Sequence, residues 1–299
     1  MTTQSYAQPG QIKAYGALPV PKMTPELLAL VKTGQVYSLA VTYFEGILGP
    51  GSMVSYTLSP RLRHGDLIDI RPASAAAEVI SMSIHIGTHI DALCHLGEHQ
   101  NEAGQPDSAG EVQIYGGPGQ TVAAAQTVNL RGQTHLNAAE MPPIICRGVL
   151  LDVAGYKGVN VLPDAYEITP ADIEGTLARQ GTQIQPGTAV LVRTGFYHHL
   201  STGNPACTQA IAGVGLEAAR LLAAQGMTLA GADNMTVEAI PPLDHPVHRF
   251  LLVHHGITHV ENLYLEELAA RQVYEFLLII TPLRLQGATG SWVHPIAIA

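Results

Sequence analysis

The chain has 299 residues, 46% of them hydrophobic and 13% charged, which supplies a large core and excludes a disordered polymer. It is acidic, with 24 Asp and Glu against 15 Lys and Arg, and it holds no Lys/Arg cluster, which excludes recognition of a nucleic-acid backbone. No apolar run is long enough to span a bilayer and no apolar leader opens the chain, so the expectation is a cytoplasmic protein without membrane contact.

In chain order, residues 1–22, rich in Pro, Gly and Gln, read as an irregular arm, and residues 23–299 as one domain. Thr24-Pro25 caps a helix that runs to Gly34. Residues 36–42 and 79–84 read as strands, the second buried, with no regular pattern between 44 and 78. From about 100 to 146 the chain looks loop-like and closes on Pro142-Pro143. Beyond that point strands and helices alternate. Strands are expected at 149–153, 189–192, 227–230, 257–260 and 273–280, and helices at 170–181, 216–225, 246–256 and 266–271. That alternation predicts an α/β fold. Cys94, Cys146 and Cys207 lie far apart, so neither a disulfide framework nor a zinc ribbon is indicated.

The chemistry concentrates in SIHIGTHIDALCH, residues 83–95, where His85, His89, Asp91 and His95 fall close together. Gly87 permits a sharp bend and the β-branched Ile86 and Ile90 disfavour a helix, so the segment reads as a turn off a strand end. Two imidazoles and a carboxylate then converge, a mixed N/O donor set suited to Zn²⁺, Mn²⁺ or Fe²⁺ and too rich in nitrogen for Mg²⁺ or Ca²⁺. His95 reads as a further ligand, a general base or a helix-face residue, with the base preferred. Burying such groups without partners would cost several kcal/mol. Two later segments point the same way. In PVHRFLLVHHG, His248 and His255 share one face at helical spacing. In ITHVEN, Ile257, His259 and Glu261 share one face of an extended segment. Asp233 and Glu238, in GADNMTVEAIP, line a site or form a turn.

HIGTHIDALCH resembles the signature of the metal-dependent cyclase-like hydrolases, which include kynurenine formamidases and isatin hydrolases. PPIICRGVLLDVAG, GTAVLVRTGF, GADNMTVEAIP, VHRFLLVHHGITHVENLYLEEL and GATGSWVHPIAI look like segments of its longer bacterial branch, so the resemblance spans most of 36–298. It implies a compact cyclase-like α/β domain around a mixed, partly barrel-like sheet, usually assembled as a homo-oligomer, a dimer or tetramer. It implies one divalent metal, Mn²⁺ or Zn²⁺, on His85, His89 and Asp91, with His95 catalytic. His248 and Glu261 would belong to the metal's surroundings or to a second metal.

The residues and the resemblance agree on hydrolysis of a small-molecule substrate. The expected reaction is opening of a small cyclic amide of the isatin kind, with arylformamides of the kynurenine formamidase kind and lactones as alternatives. A different class shares some of these ligands. His89 and Asp91 form an HxD pair, and with a distant histidine such a pair serves non-haem Fe(II) oxygenases, typically on all-β jelly rolls.

Overall fold

The computed structural model describes residues 12–49, 53–67, 69–100, 112–202 and 208–299. A curled, half-barrel sheet of nine strands organises it. In chain order these are β1 (Val36–Ser38), β2 (His89–Asp91), β3 (Ile144–Asp152), β4 (Thr188–Arg193), β5 (Met227–Ala232), β6 (Thr258–Glu261), β7 (Glu275–Ile280), β8 (Gly290–Trp292) and β9 (Ile296–Ile298). Across the sheet the order is β1-β9-β7-β3-β4-β5-β6-β2-β8. Strands β3 to β6 pair in parallel and the flanking pairs are antiparallel, so the sheet is mixed.

Parallel neighbours need crossovers, and helices supply them. The elements are α1 (Pro25–Leu28), α2 (Val153–Lys157), α3 (Pro170–Gln180), α4 (Tyr197–Thr202), α5 (Leu216–Ala224), α6 (Pro246–His248, continued as a π-helix over Arg249–His254) and α7 (Glu266–Ala270). Alternation along the strands divides the interior in two. Leu150, Leu191, Leu229 and Val260 face one core with Tyr15, Leu93, Ile114 and Leu268. Val149, Leu151, Val190, Val192 and Ala230 face the other, under Ile173 of α3, Leu222 of α5 and Leu251 of the π segment. At the carboxyl ends of β3 and β4, Arg193 bonds Asp152 at 2.8 Å and Glu266 of α7 at 2.7 Å. Among the described residues no helix is long and apolar enough to cross a membrane.

The C-terminal half follows its sequence pattern closely. Thr169 and Asp172 form the capping box of α3, and Gly181 closes that helix at φ 66°. The N-terminal half departs in four places. The helix after Thr24 is a single turn. Residues 79–84 are not a buried strand: Ala77–Ser81 pairs with Thr57–Leu62 in an exposed hairpin, in a stretch that looked irregular. The loop-like 100–146 stretch carries a hairpin of Val112–Gly117 with Gln120–Ala123, and β3 begins at Ile144, directly after the two prolines. The N-terminal arm, irregular over residues 12–22, is docked by Tyr15, which donates to the Leu136 carbonyl and accepts from the Leu93 amide at 2.9 Å. Residues 1–11 of that arm lie outside the described residues.

Gly148 of β3 sits opposite Phe276 of β7, and a Cβ on Gly148 would fall on the Phe276 ring. Gly148→Ala therefore overpacks a fully buried contact and is expected to cost about 1–3 kcal/mol. The check is a lowered denaturant midpoint at unchanged m-value.

Candidate metal centre

Strands β2 and β6 run antiparallel, with Val260 opposite Ile90 and Glu261 opposite His89. Residues directly opposite share a face, as do positions i and i+2 on one strand. His89 and Asp91 of β2 therefore stand beside His259 and Glu261 of β6 on one face, while Ile90 and Val260 drop into the core on the other. All four are buried, at 1%, 1%, 0% and 4% exposure respectively. The Thr258 hydroxyl donates to the Asp91 carbonyl and pins the two strands together.

Backbone geometry then fixes the imidazoles. Gly87 adopts φ 64°, and a Cβ there would fall on the Tyr43 ring, so both its conformation and its surroundings require glycine. The Gly87 carbonyl accepts from His89 Nδ1 at 2.8 Å and from Asn262 Nδ2 at 3.1 Å. A carbonyl only accepts, so His89 carries its proton on Nδ1 and presents the Nε2 lone pair inward. Nε2 has no hydrogen-bond partner and lies 3.5 Å from Asp91 Oδ1 and 3.4 Å from Glu261 Oε2. Burial opposes charge on His89, yet Glu261 and Asp91 raise its pKa above the ordinary value, so this spot favours a positive charge.

His248 reaches the same place from α6. Its Nδ1 donates to Glu238, and its Nε2 lies 3.3 Å from Glu261 Oε1 and 3.9 Å from Asp91 Oδ2. Glu238 is itself held, accepting from His245 Nδ1 at 3.0 Å and from the Val247 amide at 2.9 Å. Against the cost of burial, Glu238 and Glu261 push the pKa of His248 up to about 10. On the other side of Asp91, His85 Nδ1 is 2.8 Å from Oδ1, its Nε2 is 2.9 Å from Thr289 Oγ1, and its ring stacks on His95 at 3.8 Å between centroids. Burial drives the pKa of His95 down to about 4, so its ring is a neutral proton acceptor at neutral pH. Burial would raise the Asp91 carboxyl, but His95, His85 and His89 hold it well below the usual range.

His85, His89, Asp91, His95, His248 and Glu261 thus come together, as does His259, which shares the face of Glu261 on β6. The alternation in ITHVEN carried that signal. Glu238 had no sequence signal as the anchor of His248, because the contact depends on how the 238–248 loop folds. Asp233 stands apart: it accepts from the Thr194 amide and hydroxyl at 2.8 and 2.7 Å and from the Gly195 amide at 2.7 Å, which fixes a loop. His255 does not share the inward face of His248. The π segment takes more residues per turn than an α-helix, and His255 ends up exposed, bonded at 2.8 Å to the Phe250 carbonyl. Five atoms of the cluster, His89 Nε2, Asp91 Oδ2, Glu261 Oε1 and both ring nitrogens of His259, are buried without a hydrogen-bond partner. Imidazole nitrogens and carboxylate oxygens left open inside a protein fit a divalent transition metal, which takes up lone pairs without delivering a proton.

The putative cyclase family model matches residues 21–239. A crystal structure of a novel cyclase superposes with a TM-score of 0.80 at 28% identity, covering 93% of this chain and 92% of that one. Isatin hydrolase A from Ralstonia solanacearum superposes with a TM-score of 0.63 at 21% identity, over 93% of this chain and 97% of that one. A structure described as a potential metal-dependent hydrolase with cyclase activity gives 0.55 at 20% identity, over 88% and 98%. None of the curated proteins matches the chain.

Two substitutions test how the imidazoles are aimed. Gly87→Ala is expected to displace the carbonyl that orients His89, and Glu238→Gln to remove the carboxylate behind His248. Each should weaken cation binding by about 10–100-fold, the usual worth of a ligand's supporting partner. Metal titration followed by calorimetry reads the effect, with circular dichroism confirming that the fold is kept.

Proposed function

The chain belongs to the cyclase family, and from that premise we propose that it is a metal-dependent hydrolase that opens a small cyclic amide of the isatin kind. The observation that carries the reading is the group of buried, unpartnered donor atoms around Asp91. Likeness in fold to isatin hydrolases, one of them bound to the product analogue thioisatinate, supports the choice of substrate class. His85, His89 and Asp91 would hold the ion, Mn²⁺ or Zn²⁺. A divalent ion supplies Lewis-acid chemistry, activating water and polarising a substrate carbonyl.

The chain's own residues supply the rest. His89 is locked by Gly87 in the tautomer that leaves Nε2 open. Asp91 stays ionised among the imidazoles. His85 has partners on both nitrogens, so binding an ion would exchange its contact with Asp91 or with Thr289. His95, neutral and stacked on His85, is the proton acceptor: it takes a proton from the attacking water and returns it to the departing amide nitrogen. The α/β architecture removes the jelly-roll setting that the oxygenase alternative would call for. The reading also includes a homo-oligomer, supported by the hairpin of Thr57–Leu62 and Ala77–Ser81, on which Leu58, Val79 and Ile80 are exposed at 41%, 49% and 51%. A solution mass equal to one chain would remove that part.

The test is ring opening of isatin by metal-stripped protein reloaded separately with Mn²⁺ and Zn²⁺. Turnover restored by one ion and abolished by chelator is expected. A protein that binds metal yet leaves isatin, N-formylkynurenine and simple lactones untouched would contradict the reading. His89→Ala is expected to lose metal and activity together. His95→Gln should keep its metal and lose about 10²–10⁴-fold in kcat.

A further inference from the structure

We propose that Tyr15, in the N-terminal arm, is a positioning residue for His95: its hydroxyl fixes the turn that presents the His95 imidazole to the metal centre. The inference rests on the hydrolase reading above, in which His95 moves the proton, and adds to that step a residue eighty positions away in sequence.

His95 closes a four-residue turn, its amide donating to the Ala92 carbonyl at 2.8 Å. Such a turn uses only that amide and that carbonyl, and leaves the N–H of its second residue, Leu93, to find a partner elsewhere. Ala92 and Leu93 are both 0% exposed, so bulk water does not serve. The Tyr15 hydroxyl is the partner: it accepts from the Leu93 amide at 2.9 Å and donates to the Leu136 carbonyl. A hydroxyl has one proton, and the Leu136 carbonyl, which only accepts, takes it and so leaves an oxygen lone pair for Leu93. The Ala92 amide donates to the Thr289 carbonyl at 2.9 Å, and the Thr289 hydroxyl lies 2.9 Å from His85 Nε2. The turn is thereby held at two points, and at its far end the His95 ring stacks on that of His85 at 3.8 Å.

The arm is shaped to bring the Tyr15 hydroxyl there. Tyr15 and Leu18 exchange both backbone hydrogen bonds at 3.0 Å around a tight turn in which Gly16 takes φ 57°. A Cβ on Gly16 would fall on the Gly256 carbonyl oxygen and on the Leu93 side chain, and the Ala17 amide donates to the same Gly256 carbonyl at 2.8 Å. Gly256 leads into β6, whose Thr258 hydroxyl donates to the Asp91 carbonyl. One turn of the arm thus touches the exit from β2 and the entry to β6. His89 and Asp91 are held on both sides by β6 and β8, whereas His95 lies beyond the strand. Loss of the bond to Leu93 therefore moves His95 more than it moves the metal ligands.

Tyr15→Phe removes one oxygen and keeps the ring. In crystals of this variant the His95 ring is expected to leave its 3.8 Å stack on His85, with His89 and Asp91 unmoved. With isatin and the ion that supports turnover, kcat should fall about 10–100-fold, the usual cost of a group misplaced by about an ångström. KM and metal affinity should stay at their wild-type values. In a His95→Gln background the same substitution should leave kcat unchanged, because the group it positions is gone. Equal losses of kcat in the two backgrounds, or weakened metal binding, would mark a general loosening of the motif and overturn the inference. So would a Tyr15→Phe enzyme with wild-type kcat. A wild type that binds metal yet hydrolyses neither isatin, N-formylkynurenine nor simple lactones would sink the hydrolase reading. The crystals then decide alone, and an unmoved His95 ring overturns the inference. Should Tyr15→Phe fail to fold, 3,5-difluorotyrosine at position 15 keeps ring and hydroxyl but makes the oxygen a weaker acceptor. A lower kcat at unchanged KM is then expected, and an unchanged kcat overturns the proposal.

Discussion

Everything at the centre depends on the register between β2 and β6. Because Glu261 lies opposite His89 and Val260 opposite Ile90, four polar side chains share one face and two apolar ones share the other. A slip of one residue would send Ile90 and Val260 into the polar cluster and His89 and Glu261 into the core. The antiparallel β2 joins the sheet at the open end of the parallel strands, so the motif is docked onto β6 on one side and held by β8 on the other. The large sheet and its two cores are what keep that short three-residue strand in place.

On this register the backbone does the fine aiming. Gly87 turns its carbonyl toward His89, and the same carbonyl is steadied by Asn262, the residue after Glu261. Glu238 performs the corresponding task for His248 and is itself tied down by His245 and Val247. Orientation by such outer partners sets both the tautomer and the direction of an imidazole. The result is a concentration of buried charge that protein groups alone leave incompletely satisfied. Hydrogen bonds reach Nδ1 of His89 and of His248, whereas His89 Nε2, Asp91 Oδ2, Glu261 Oε1 and both nitrogens of His259 stay open. A folded chain tolerates that expense where a ligand recovers it.

The legible parts of the sequence were those governed by local rules. Capping residues, glycine stops and apolar runs placed α3, α5, β4, β5 and β7 within a residue or two, and the HxxxHxD spacing identified the motif. Its conformation was also legible in part, because Gly87 does make the bend. Long-range pairing decided the rest. Ile144–Gly148 reads as a poor strand, with Arg147 and Gly148 following two prolines, yet it is extended because β7 pairs along it from Ile144 to Val149. The motif itself becomes a strand because β6 and β8 flank it, a fact no window around residue 90 contains. The exposed hairpin at 57–81 has no buried face to impose alternation, so its pattern carried little information. A π segment in place of an α-helix separated His255 from His248, and no spacing rule foresees that insertion.

The central claim is that the open atoms on the β2–β6 face exist to hold metal. Anomalous diffraction from crystals of the protein grown with Mn²⁺ or Zn²⁺, recorded above and below the metal's absorption edge, tests it most directly. A peak within coordination distance of His89 Nε2 and Asp91 is the expected result. Well-ordered crystals grown at saturating metal that show His89, Asp91, His259 and Glu261 with no peak among them would contradict the account.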